Sequence, residues 1–84
     1  MSEIDWRRLR NLTASQIIRA LINDGFVLRN QRGSHQRYRH SDGRRVTVTF
    51  HRAGETYPIG TLRSMIELQA RWTEEDLKRL SLMD

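Results

Sequence analysis

The sequence predicts an α+β domain in which three antiparallel strands form a meander and helices pack on one face of the sheet. Three observations support that fold class. "TASQIIRALINDGF" places Ile17, Ile18, Leu21 and Ile22 on one stripe at helical spacing. "RRVTVTFH" alternates Val46, Val48 and Phe50 with Arg45, Thr47, Thr49 and His51, the pattern of a half-buried strand. "TLRSMIELQARW" then returns to helical spacing, with Leu62, Met65 and Ile66 facing inward.

Taken in order, "MSEIDWRRLRN" opens an extension over residues 1–12, read either as a short helical lead-in or as a loose end. Trp6 and Leu9 are placed to pack back on the body. The first clear helix has Thr13 as cap, Gln16 three residues on as in a capping box, and Gly25 as a left-handed stop. Three strands follow: "FVLRNQ", "HQRYRH" and "RRVTVTFH". "RGS" is a short glycine-containing turn between the first two, and Asp42-Gly43 is a hairpin signal between the second and third. "RAGETYPIG" reads as an irregular loop holding the only proline, Pro58. Thr61 is the expected cap of the second helix. Thr73 caps a short third one, with acids in its first turn to suit the helix dipole and Leu77 and Leu80 as anchors. The organisation is thus a single domain over 1–84: an αβββα core over 13–72 and a short C-terminal helix over 73–84.

Composition narrows the function classes. Eighty-four residues leave room for one core, and 37% hydrophobic with 30% charged residues is ordinary for a globular domain. Apolar runs are too short for a transmembrane span or a signal peptide. The chain has no cysteine, which excludes disulfides, thiolate chemistry and cysteine-based zinc sites. A cytoplasmic protein that does not engage a membrane is expected.

The charge is unevenly spread. Net charge is +5, yet Arg29 to Arg52 holds seven arginines against Asp42 alone, while Thr73 to Asp84 is net acidic. An anionic partner would dock on the middle of the chain. Arginine's planar fork suits phosphate oxygens and stacks on bases. If Tyr38, Val46, Val48 and Phe50 face the helices, alternation puts His35, Arg37, Arg39, Arg45, Thr47, Thr49 and His51 on the opposite face, with Arg29 and Gln31 joining from the first strand. No basic amphipathic helix is present to suggest membrane binding.

The residues limit the chemistry such a face could perform. Asp42 stands alone in the basic region, whereas two-metal phosphodiester hydrolysis needs several carboxylates, so no metal site and no cofactor is expected. No glycine-rich phosphate loop appears. Metal-free RNA cleavage remains, in which the substrate 2′-OH attacks its own phosphorus. That reaction needs a proton acceptor, a proton donor and positive charge. Histidine, with an unperturbed pKa of about 6.5, suits the proton transfers, and arginine supplies the charge. His35 is the best placed of the three histidines, because it follows Gly33 and Ser34 at a turn where glycine lets a phosphate approach the backbone, and Arg32 and Arg37 flank it. His40 falls on the Tyr38 face beside the hairpin, where a structural hydrogen bond is expected. His51 is a secondary candidate at the end of the third strand.

"DGFVLRNQRGSHQRYRHSDGRRVTVTFH" followed by "GTLRSMIELQARWTEEDL" resembles the HicA, or YcfA-like, toxins of bacterial and archaeal toxin–antitoxin systems, from about Thr13 to about Leu80. The shared features are "GSH", the H-x-DGR hairpin with its alternating strand, and "GTLRS" opening the second helix. Ser41, where the family commonly has proline, and the extension before Thr13 depart from the pattern. The resemblance implies a double-stranded-RNA-binding-domain-like fold, ribosome-independent mRNA cleavage, an active histidine carried over to His35, and a HicB-type antitoxin that covers the site. The RNA-binding set expected around His35 is Arg29, Arg32, Gly33, Ser34, Arg37, Arg39 and Arg45. A non-catalytic RNA-binding module of the same fold is the alternative. A DNA-binding regulator is disfavoured because no helix carries a row of basic residues for the major groove.

Overall fold

The computed structural model describes residues 4–84, so residues 1–3 of the N-terminal extension lie outside the described residues. The rest of the extension holds one short helix: Asp5 accepts a hydrogen bond from the Arg7 N–H and caps α1, Trp6–Leu9. Leu9 is fully buried and Leu12 nearly so, in the same core as the rest of the chain.

α2, Ala14–Asn23, starts at the expected capping box, in which the Thr13 side chain accepts from the Gln16 N–H while the Gln16 side chain accepts from the Thr13 N–H. Ile17 and Leu21 are buried, but the stripe is narrower than predicted: Ile18 is half-buried and Ile22 is 57% exposed. Gly25 at φ +101° ends the helix, and a Cβ there would stand 3.0 Å from Nε2 of His40. That close approach, together with the left-handed backbone, requires glycine.

The sheet is an antiparallel meander in the order β1 (Val27–Arg32), β2 (His35–Arg39), β3 (Arg45–Thr49). Gly33 at φ +55° and Ser34 make a two-residue turn between β1 and β2, with glycine in the position that a type II′ turn reserves for it. Between β2 and β3 the connection covers residues 40–44, closed by the His40 N–H donating to the Arg44 carbonyl, with Gly43 at φ +99°. Tyr38, Val46 and Val48 point into the core, where Leu21, Leu62, Ile66 and Leu77 meet them from the helices. Helices therefore cover one face of a three-stranded sheet, the α+β arrangement of a double-stranded-RNA-binding-domain-like fold.

The second helical segment differs from its sequence pattern. It begins earlier, at Ile59, with Pro58 rather than Thr61 at the N-cap and no side-chain cap. Proline's fixed φ brings the chain into the helix without a capping side chain. α3, Ile59–Arg63, then widens into a π-helical stretch over Ser64–Gln69 and ends before Trp72. The widening stacks Ser64 and Gln69 five residues apart. Gln69 Nε2 donates to Ser64 Oγ at 3.0 Å, and Gln69 Oε1 accepts the Thr47 N–H at 2.8 Å. A backbone donor on the outer edge of β3 is satisfied in this way. α4, Glu74–Arg79, is capped by Thr73 as expected, with Leu77 and Leu80 buried.

One carboxylate ties these pieces together. Asp24, whose side chain is only 8% exposed, follows α2 and accepts from Trp72 Nε1 at 2.8 Å, from Arg79 at 2.8 Å and from Arg44 at 3.1 Å. Arg44 also donates to the Ala70 carbonyl and to Asp42, and its guanidinium lies 4.9 Å from the centre of the Phe26 ring. Burial pushes the Asp24 carboxyl up, but the hydrogen bonds from Trp72 and Arg79 and the charges of Arg44 and Arg79 outweigh it and hold the group below its ordinary value. A depressed folded-state value means that stability is present above the unfolded carboxylate range and is lost as pH falls through the folded value. Asp24→Ala should cost about 2–3 kcal/mol in urea unfolding at neutral pH. Asp24→Asn should also flatten the loss of stability that the wild type shows in acid, measured as the urea midpoint against pH.

Candidate nucleic-acid interface

The sheet face away from the helices is defined by which cross-strand pairs exchange hydrogen bonds. The Phe50 N–H donates to the Ser34 carbonyl at 2.7 Å and the His40 N–H to the Arg44 carbonyl at 2.9 Å. Alternation then makes His35–Thr49, Arg37–Thr47 and Arg39–Arg45 the non-hydrogen-bonded pairs. At such pairs facing Cα atoms come within about 4.5 Å, closer than at the intervening ones. Residues on this face are therefore forced together in three rows, and one row sets Arg39 against Arg45.

From β1 the register corrects the sequence reading. Arg32 pairs with His35 and Asn30 with Arg37, so these two residues share the basic face. Gln31 pairs with Gln36 on the other side, and its amide instead donates to the Gly33 carbonyl at 3.2 Å, bracing the turn. A bulge between Leu28 and Asn30 causes the shift and leaves Arg29 as the extra residue. Arg29 borders the same shallow depression of about 380 Å³ as Arg37, Arg39 and Arg45. Leu28 does lie opposite the basic face, paired with Tyr38, but remains 44% exposed because the helices do not reach fully over β1.

The structure therefore gathers Arg32, His35, Arg37, Arg39 and Arg45 on one surface, with Arg29 at its margin and Gly33 and Ser34 turning at the His35 end. All of these arginines are exposed, and none of the four on the face nor Arg29 takes part in an ion pair among the described residues. A Cβ added at Gly33 would meet nothing within 4 Å, so the space above the turn is open. The ring of His35 is exposed and makes no hydrogen bond among the described residues.

The other two histidines are held. His40 Nε2 is 2.8 Å from the Asp24 carbonyl, and Nδ1 accepts the Asp42 N–H at 3.1 Å. A carbonyl can only accept, so the proton sits on Nε2. The ring also packs edge-on against Phe26 at 5.1 Å, which makes it a structural residue, as expected. His51 falls just past β3 rather than within it. Its Nδ1 lies 2.9 Å from Glu55 Oε2, and its backbone N–H donates to Glu55 Oε1 at 2.9 Å. Those two bonds, chiefly the one from the ring, hold the Glu55 carboxyl below its ordinary value, and the charge of Arg52 adds to the effect.

Asn30, Glu55, Asp24 and Arg44 were missed from the sequence. The spacing of His51 and Glu55, four residues apart, was the available signal for one of them.

An α+β domain with helices on one sheet face and the other face lined by exposed arginines around a histidine is of the double-stranded-RNA-binding-domain-like class. The family model described as "HicA toxin of bacterial toxin-antitoxin" matches residues 14–71, a span from α2 through the sheet to the end of the π-helical stretch. The chain belongs to the HicA toxin family, which gives it the toxin's role in a toxin–antitoxin pair and an antitoxin as partner. No curated protein gives a significant match.

The facing arginines should cost the free protein stability, because like charges directly opposite across a strand pair repel by about 0.2–1 kcal/mol. Arg45→Thr is expected to raise the urea midpoint slightly at low salt while weakening the binding of single-stranded RNA in a filter or anisotropy assay.

Proposed function

We propose that this toxin is an endoribonuclease that cleaves mRNA without a metal ion, with His35 carrying a proton at the scissile phosphate and the surrounding arginines holding the backbone. The observation that carries the reading is an exposed imidazole in a row of guanidiniums, all without ion pairs among the described residues, on three strands that carry no acid. Passive binding would be served by another arginine, whereas a histidine adds a group that can both accept and donate a proton near neutral pH. The donor set also favours a metal-free route. Among the described residues no three His, Cys, Asp or Glu side chains approach closely enough to hold an ion. The acids concentrate in α4 and in the Asp24 and His51 contacts instead.

In this reading Arg29, Arg32, Arg37, Arg39 and Arg45 contact phosphates, and Gly33 and Ser34 leave room for one to approach the β1–β2 turn. Sequence preference would be weak and salt dependence strong. The requirement for a neighbouring 2′-OH would separate RNA from DNA. The partner is a HicB-type antitoxin whose acidic or apolar surface covers this face, and the site of action is the cytoplasm, where mRNA is found. No helix among the described residues is long and apolar enough to cross a membrane.

The purified chain should cut single-stranded RNA in the presence of chelator, and His35→Ala should lower the rate by roughly 10²–10⁴-fold. RNA affinity should change by less than a few-fold, because the arginines remain. A DNA strand of the same sequence should be bound and left intact. Undiminished cleavage by His35→Ala would remove the histidine from the reaction, and binding without any turnover by the wild type would favour the non-catalytic module.

A further inference from the structure

Cleavage by the 2′-OH route needs a second proton-transfer group, and the chain holds one histidine built as such a group is built. We propose that His51, oriented by Glu55, is the general acid that protonates the leaving 5′-oxygen, with His35 as the general base; this rests on the nuclease reading above.

The placement follows from the β2–β3 register. His35 faces Thr49, and the Phe50 N–H still bonds the Ser34 carbonyl, so His51 lies level with Gly33, one step beyond His35 along the sheet. Phe50 packs against the core, which turns Thr49, the last residue of β3, toward the arginine face, and His51 follows two residues on, just past the strand. Diagonal neighbours on one face of an antiparallel pair are about 7 Å apart, a separation that lets two imidazoles stand on either side of a phosphate. The space over Gly33, level with His51, is open.

The setting of His51 is unlike that of an ordinary surface histidine. Glu55 grips it twice, at the ring Nδ1 and at the backbone N–H. The loop that carries Glu55 is itself tied down. The Glu55 carbonyl accepts the Ala14 N–H at 2.7 Å, and the Ala53 carbonyl accepts the Ser15 N–H at 3.0 Å, so the first turn of α2 anchors it. Tyr57 Oη donates to the Thr49 carbonyl at 2.6 Å, fixing the end of β3. A carboxylate on Nδ1 selects the tautomer and leaves Nε2 outward, and Nε2 has no partner among the described residues. A proton donor must begin as an imidazolium, and a carboxylate balances that charge. His35 stands between Arg32 and Arg37 and has no carboxylate partner among the described residues.

The step balances without a further reactant. The 2′-OH proton passes to His35 as the 2′-oxygen–phosphorus bond forms. The phosphorus–5′-oxygen bond breaks, and that oxygen takes the proton of His51. The products are a 2′,3′-cyclic phosphate and a 5′-hydroxyl, and both rings return to their starting states by exchange with water. Glu55 is a positioning residue in this scheme, acting through His51.

The test compares two RNA oligonucleotides with the full chain, one natural and one with sulfur in place of the 5′-oxygen at the cleaved bond. A thiolate leaves without being protonated, so loss of the acid should not slow it. His51→Ala is expected to cut the natural substrate about 10²–10³-fold more slowly and the sulfur substrate at near wild-type rate. His51→Gln should behave alike, and Glu55→Gln should show a smaller loss, roughly tenfold, that the sulfur substrate also restores. His35→Ala should be slow on both. Restored cleavage of the sulfur substrate cannot come from an unfolded chain, so misfolding is distinguished from loss of the acid. If His51→Ala cuts natural RNA normally, or stays slow on the sulfur substrate, the assignment is wrong while the nuclease reading stands. If the wild type cuts neither, both fall.

Discussion

The structure depends on the burial of one face of a small sheet. Tyr38, Val46 and Val48 must point at the helices to complete a core that an 84-residue chain can barely afford, and period-two geometry then leaves every alternate side chain of β2 and β3 on the far side. The basic face is a consequence of the hydrophobic one. A one-residue slip would bury arginines and expose valines, so the apolar positions also enforce the arrangement of the charged ones.

The Asp24 cluster does related work at the hairpin. Arg44 belongs to the same run of arginines as Arg39 and Arg45, yet it is drawn into contact with Asp24, Asp42, the Ala70 carbonyl and Phe26. It fixes the β2–β3 loop against the chain leaving the π-helical stretch and is not available to a ligand. His40 is similarly committed to Asp24 and Asp42. Two residues that look functional by composition are thus structural, and the distinction lies in their partners. Arg37, Arg39 and Arg45 of the same run have no carboxylate partner among the described residues and stand on the open face.

How much of this was legible in the sequence follows from which forces act locally. β3 was readable because its alternation reflects burial residue by residue, and α2 and α4 because each begins at a threonine that closes a capping box. The bulge at Arg29 was not readable. An extra residue in an edge strand leaves no mark in composition, and it moved Asn30 onto the basic face and Gln31 off it. The start of α3 was misplaced because Thr61 resembles a cap, whereas the entry is set by the backbone of Pro58. The π-helical stretch answers a tertiary demand, the donor on the edge of β3, that helical periodicity does not encode. Ile22 belonged to the apolar stripe by spacing, but the sheet is too narrow to cover it. That His35, Arg37, Arg39 and Arg45 share one face was legible because these residues follow strand alternation across one hairpin. Glu55 was harder to find because it acts from an irregular loop.

The central claim is that an RNA phosphate sits on the arginine face beside His35. It is tested most directly by titrating the isotopically labelled protein with an RNA whose 2′-hydroxyls are methylated, so that it binds without being cut, and following the imidazole signals by NMR. The His35 ring is expected to shift strongly and the His51 ring with it, while the His40 ring, held behind the hairpin, stays in place. Saturating binding that leaves His35 unmoved, or that perturbs the helical side of the molecule instead, would contradict that claim.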